Sequence, residues 1–279
     1  MNKDLKEKFA FTLAEGATHV GIFHNIGRTF HKLVESFTHV GIFNNTRRVG
    51  FTLAEVLITL GIIGIVSAMT IPTLLNNYKQ KVLDKQFVQT YSLLSQALLL
   101  TTSQMDYMPK CYYKSIDGVN LVMPPLYSEC VTFNTKLLKN LRITKKCSSD
   151  AVAKGCMPVY EGYDTIIDKK LPNVEPPEGF SSYGEYLSRG CTPFRKANLK
   201  NRPTYNLSNG SILFLYDLGM PILCIDINGF SAPNKWGHDV FSFSIINNGT
   251  KYSFGQSSCM SPEFGGYDVI NKLQQLGLR

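Results

Sequence analysis

The reading of this chain turns on residues 51–75, FTLAEVLITLGIIGIVSAMTIPTLL, in which Glu55 is the one charged side chain. At 1.5 Å per residue a helix of that length spans ~37 Å, enough to cross the ~30 Å hydrocarbon core of a bilayer. The run is too long for the apolar part of a secretory signal, and no small-residue cleavage site follows it. It is a predicted transmembrane helix. A carboxylate in such a helix is costly near the bilayer centre, cheaper near an interface, and a mark of function. Glu55 sits one turn from the start, where it would also reach the headgroups.

Immediately upstream stand Arg47, Arg48, Val49 and Gly50, and Phe51 follows. RRVG/FTLAEVLITLGIIGIVSAMTIPTLLNNY resembles the type III signal of type IV prepilins and type II secretion pseudopilins, a likeness that is strong over about 50 residues. The resemblance implies that a prepilin peptidase cuts between Gly50 and Phe51 and that the new Phe51 amine is N-methylated. It also implies that Glu55 neutralises a neighbouring subunit's N-terminus in the filament, and that Pro72 is the helix-kinking proline of the family. Physical chemistry supports each role. Gly50 lets extended backbone enter a protease cleft without a side-chain clash. A buried charge is far costlier unpaired than paired, so a Glu55–ammonium pair would select axial register. Pro72 removes a backbone donor and should kink the helix or let it melt locally. Gly61, Gly64 and Ala68 offer a small-residue face for close helix contact, although membrane helices are rich in such residues anyway.

Past the apolar run, residues 76–81 (NNYKQK) mark the water interface. Tyr78, Val82, Phe87, Tyr91, Leu94 and Leu98 then recur at near-helical spacing among polar residues. The helix is expected to run to about residue 102, roughly 75 Å in all. Its second half is amphipathic, as a helix is when a globular domain packs on one face. The expected domains are a removed cytoplasmic leader (1–50), a transmembrane half-helix (51–75), an amphipathic half-helix (76–102) and an extracytoplasmic domain (103–279).

The leader carries a repeat of period 20. Leu13, Leu33 and Leu53 align, as do Glu15, Glu35 and Glu55, and Gly21, Gly41 and Gly61. Ala10–Glu15 nearly copies the cleavage motif, but the run after it carries His, Arg and Lys and is too polar to span a bilayer. The cut is therefore expected at Gly50 and not at Ala10.

The net charge of +8 divides into +3 before residue 51, from seven basic and four acidic side chains, and +5 after it, from 22 and 17. That excess argues only weakly for a polyanionic partner. All seven cysteines lie after residue 50 and none forms a CxxC, which favours disulfides in an oxidising compartment over zinc or thioredoxin chemistry. Cys147 and Cys156 are the first candidate pair, because a short loop closes readily. His238 is the one histidine beyond residue 50, and no GxSxG, HExxH or P-loop is present, so a membrane-anchored enzyme is a remote alternative.

In the domain, residues 133–143 suggest a short helix with Leu137, Leu138 and Leu141 on one side, and the proline-rich 171–180 a loop. Residues 211–216, 222–227 and 240–246 read as strands, separated by turns at Gly219, Asn228-Gly229 and Asn248-Gly249. The expected fold is α+β, a pilin-like roll: one long N-terminal helix whose apolar face is covered by a late antiparallel meander. Asp226, Asn228 and Asp239, in a loop between two strands, could supply oxygens to Ca²⁺, or could close the loop through Asx turns. No cofactor is required. Arg195, Lys196, Lys200 and Arg202, interleaved with Phe194 and Tyr205, could contact a polyanion such as single-stranded DNA, or be a solvated loop. The reading is a structural subunit, a minor pilin or pseudopilin. Its partners would be the peptidase, other pilins, the inner-membrane assembly platform and the bilayer. A DNA- or surface-binding minor pilin of an uptake pilus is the alternative, although nucleic acid is an unlikely partner on this charge.

Overall fold

The computed structural model describes residues 50–107, 109–116, 119–121, 127–247 and 251–278. The leader repeat and the Asn248-Gly249 turn lie outside the described residues. Helix α1 is Leu53–Ser103. Its apolar first part is rich in β-branched residues, which are poor helix formers in water. In lipid, though, the helix is one of the few ways to satisfy every backbone group internally. The helix is continuous through Pro72. Its last turn is closed by hydroxyls: Thr101, Thr102 and Ser103 donate to the carbonyls of Ala97, Leu99 and Leu100 at 2.7–2.8 Å.

Burial on α1 falls on Phe87, Thr90, Leu94, Ala97, Leu98 and Thr101, a stripe of near-3.6 period. Tyr78, expected on the same face, is exposed, because the domain first meets the helix near Val82. The stripe lies on an antiparallel sheet of β3 (Ile143–Cys147), β4 (Thr204–Leu207), β5 (Ile212–Leu215), β6 (Ile222–Asp226), β7 (Val240–Asn247) and β8 (Tyr252–Gln256), each paired with the next. A small hairpin, β1 (Tyr113–Ile116) with β2 (Val119–Leu121), joins β7 in parallel. The long helix on an antiparallel meander is the expected α+β arrangement. The Phe87 ring meets Phe241 edge-on at 4.7 Å, and Tyr91 meets Phe254 at 6.4 Å.

Two details depart from the sequence reading. The short helix, α2, is Tyr127–Lys139, not 133–143, and Ile143 opens strand β3. Buried Asn134 on α2 donates to the carbonyls of Leu218 and Met220 in the β5–β6 turn, at 2.7 and 3.0 Å. That turn needs Gly219, since a Cβ there would lie 2.0 Å from the Tyr127 ring.

The second departure is larger. Residues 148–203 fold back over the other face of the sheet as helices α3 (Tyr163–Lys170), α4 (Tyr183–Leu187) and α5 (Lys196–Leu199), with a 3₁₀ turn at Arg189–Phe194. The meander is therefore covered twice. Leu213, Leu215, Leu223, Ile225, Phe241 and Phe243 face the α1 core, while Ile212, Phe214, Ile222, Cys224 and Val240 face the second. Strands buried on both faces read as continuous apolar runs, which is why ILFL and ILCID carry little polar alternation. Trp236, in the loop between β6 and β7, is 1% exposed at the centre of the second core and donates Nε1 to the carbonyl of Glu161 at 2.9 Å.

Disulfides join Cys111–Cys130, Cys147–Cys156 and Cys191–Cys259, and Cys224 is a buried thiol. The last helix, α6 (Val269–Gln275), is capped by Asp268, whose Oδ1 accepts from the Asn271 N–H at 2.8 Å. Its Lys272, 1% exposed, donates to the Asp84 carboxylate on α1 and lies over the Tyr267 ring.

Candidate processing and assembly site

Gly50 is exposed, and a Cβ built on it would meet nothing within 4 Å. Among the described residues no packing requires a glycine there. Thr52 is the N-cap of α1 and Glu55 the third helical residue. The Thr52 N–H and hydroxyl donate to Glu55 Oε2 at 2.8 and 2.9 Å, and the Glu55 N–H donates to Thr52 Oγ1 at 3.2 Å. This is a reciprocal capping box, which satisfies two backbone donors that a helix start leaves unpaired. The sequence reading assigned Glu55 to a neighbouring subunit and missed this role, although Thr-x-x-Glu ahead of an apolar run is its signature.

The box also sets geometry. It folds the carboxylate back over the first turn, one residue from the Phe51 nitrogen that cleavage would free. The same oxygens can thus neutralise a local positive end or be offered to another chain. Beyond them, α1 is long and apolar enough to cross a membrane, and none of its most apolar stretch is buried. Among the described residues, Cβ atoms at Gly61 or Gly64 would likewise meet nothing within 4 Å, so neither glycine is explained by packing there.

The other candidate residues are arranged differently. Asp226 and Asp239 are fully buried at the ends of β6 and the loop that follows. Asp226 Oδ1 accepts from the N–H groups of Asn228 and Gly229 at 3.1 and 2.8 Å, and its Oδ2 from the Tyr160 hydroxyl at 2.7 Å. Asp239 accepts from the N–H groups of Asn234 and Lys235, both at 2.7 Å. Asn228 donates to the Ala232 carbonyl at 3.2 Å. Asx turns and a buried tyrosine thus occupy the carboxylates and close the loop. Burial, opposed by these hydrogen bonds, pushes the Asp226 carboxyl up to about 8 and raises Asp239 as well. Among the described residues no three His, Cys, Asp or Glu side chains gather as a metal site.

The basic stretch is not an open cluster. Arg195 donates to Ser188 Oγ, Glu185 Oε1 and the Glu185 carbonyl at 2.9, 3.2 and 2.7 Å. Arg202 donates to the carbonyls of Asn198 and Tyr216, at 3.3 and 3.2 Å. Lys196 Nζ lies 3.8 Å from Glu161, and Lys200 is exposed. The aromatics that would stack on bases are also absorbed, since Phe194 and Tyr205 are core residues.

Comparison with known families agrees with the first of these sites. Residues 47–71 match the prokaryotic N-terminal methylation motif, a match confined to that segment. No curated protein and no solved structure matched the chain. The Arg-Arg-Val-Gly-Phe junction, the capped Glu55 and the start of the apolar helix thus fall within a match to the prokaryotic N-terminal methylation motif, which supports the likeness to the type IV pilin and pseudopilin signal.

Proposed function

We propose that this chain is the precursor of a structural filament subunit, a minor pilin or pseudopilin. A prepilin peptidase cuts it between Gly50 and Phe51, the Phe51 amine is methylated, and the subunit assembles with other pilins through α1. The leader lies in the cytoplasm, α1 crosses the inner membrane, and the double-covered domain stands outside. The observation that carries this reading is the methylation motif placed at the head of a helix whose apolar stretch is entirely unburied. A helix of that composition needs lipid before assembly and other helices after it. The internal bonding of Arg195 and Arg202 disfavours them as a polyanion site.

N-terminal mass spectrometry of the membrane-extracted protein tests the reading. The expected mature chain begins at N-methylated Phe51, and Gly50→Leu accumulates as full precursor. A mature chain beginning at Phe11, or an uncut chain in peptidase-positive cells, overturns it.

A further inference from the structure

The net charge of residues 51–279 is concentrated in one place. Between residues 136 and 154 lie Lys136, Lys139, Arg142, Lys145, Lys146 and Lys154 against the single acid Asp150; the remaining 16 basic and 16 acidic side chains cancel. These residues form the last turn of α2, strand β3 and the loop behind it. The Cys147–Cys156 disulfide folds that loop back, so that Lys145 Nζ donates to the carbonyls of Lys154 and Gly155 at 2.9 and 3.0 Å. All but Lys136 are exposed, and β3 ends the sheet. Lysines on an edge strand deter pairing with another strand, but that purpose does not extend to α2 or to Lys154.

The complementary charge is on the same chain. The α3–α4 connection, residues 171–180 (LPNVEPPEGF), is exposed over 171–179, carries Glu175 and Glu178, and has no basic residue. Three prolines restrict its backbone, so little entropy is lost when it is bound. Among the described residues no salt bridge joins this loop to the basic strip.

We propose that the occupant of the basic β3 edge is a second copy of this chain, docking its Glu175/Glu178 loop onto Lys139, Arg142, Lys145 and Lys146. Two different patches of one chain meeting in this way make a head-to-tail contact, which propagates along an assembly. The contact uses the domain alone and rests on the filament reading only for its setting. The last turn of α2, which carries part of the strip, is tied to the C-terminal end of α1: Lys136 Nζ donates to the Gln104 carbonyl, and Asn140 to Thr101 and Gln104.

The test uses the full-length chain in detergent micelles, with isotopically heavy and light copies mixed and a zero-length carbodiimide joining amines to carboxylates. Heavy–light peptides linking residues 136–154 to Glu175 or Glu178 are expected. Arg142→Glu with Lys146→Glu should weaken self-association about tenfold, Glu175→Lys with Glu178→Lys similarly, and all four together should restore it. Unchanged thermal unfolding of each variant keeps the comparison one of binding. The proposal is overturned if the wild type gives no mixed peptides, if the fourfold variant stays as weak as either pair, or if Lys200→Glu with Lys235→Glu weakens association equally. Failure of cleavage at Gly50 would strike the filament reading and leave this contact standing.

Discussion

At the residue scale, Glu55 serves two requirements that one substitution can separate. As the third residue of the helix it accepts from Thr52; as a carboxylate it carries charge to be matched. Gln preserves capping and removes the charge. We therefore expect Glu55→Gln and Glu55→Leu both to be cut at Gly50 and both to be absent from filaments, as read by immunoblotting sheared fractions. Incorporation of the Gln variant alone would make the capping box, and not charge pairing, the reason for Glu55. Asp226 allows a second test. Its carboxyl is raised from 3.8 to about 8, chiefly by burial. The folded state therefore holds this proton more tightly than the unfolded state, so the contribution of Asp226 to stability should be fully present below pH ~4 and be lost as pH climbs towards about 8. Urea midpoints should drop between pH 5 and pH 8.5, and Asp226→Asn should flatten that drop. A midpoint that rises over this range would contradict the burial.

At the scale of elements, α6 is held to α1 by a charge pair whose two sides are unequally buried: Lys272 is 1% exposed and Asp84 24%. Removing the lysine leaves a carboxylate that water reaches, whereas removing the carboxylate strands an ammonium in the core. Asp84→Ala should therefore cost about 3–5 kcal/mol and Lys272→Met much less, measured by denaturant unfolding. Equal costs would mean that α6 is held by its apolar contacts. These elements differ in how legible they were. The apolar half of α1 followed from length and composition, because a bilayer demands both. Strands β5, β6 and β7 were readable as β-rich runs between turn residues. Strand β3, ITKKC, was not: an edge strand with exposed lysines has neither the alternation nor the hydrophobicity of a core strand. The capping box was legible as Thr-x-x-Glu ahead of an apolar run, a signature local to the helix start.

At the scale of the molecule, Cys191–Cys259 ties the second helical layer to the chain beyond β8, across a sequence separation of 68. Replacing both cysteines by serine should cost about 2–4 kcal/mol and loosen the 148–203 layer first, seen as earlier amide exchange there. Uniform loss of protection would show that the two layers unfold as one. The loop at Asp226 and Asp239 should melt identically in calcium and in chelator, because its carboxylates already accept from Tyr160 and four backbone N–H groups. A rise of several degrees with calcium, abolished by Asp226→Ala, would instead make Asp226, Asn228 and Asp239 ion ligands.

What the sequence determined by itself is what local chemistry and solvent decide. A Gly-Phe junction, a carboxylate at a helix start and 25 residues fit for lipid are properties of adjacent residues. They required no partner elsewhere in the chain to be understood. Only the tertiary structure decided that both faces of the meander are covered, that Trp236 belongs to a core, that Arg195 and Arg202 are bonded internally, and that Lys272 is buried on Asp84. Each of these depends on a side chain meeting residues far away in sequence. Composition limits which meetings are affordable, but packing alone selects among them.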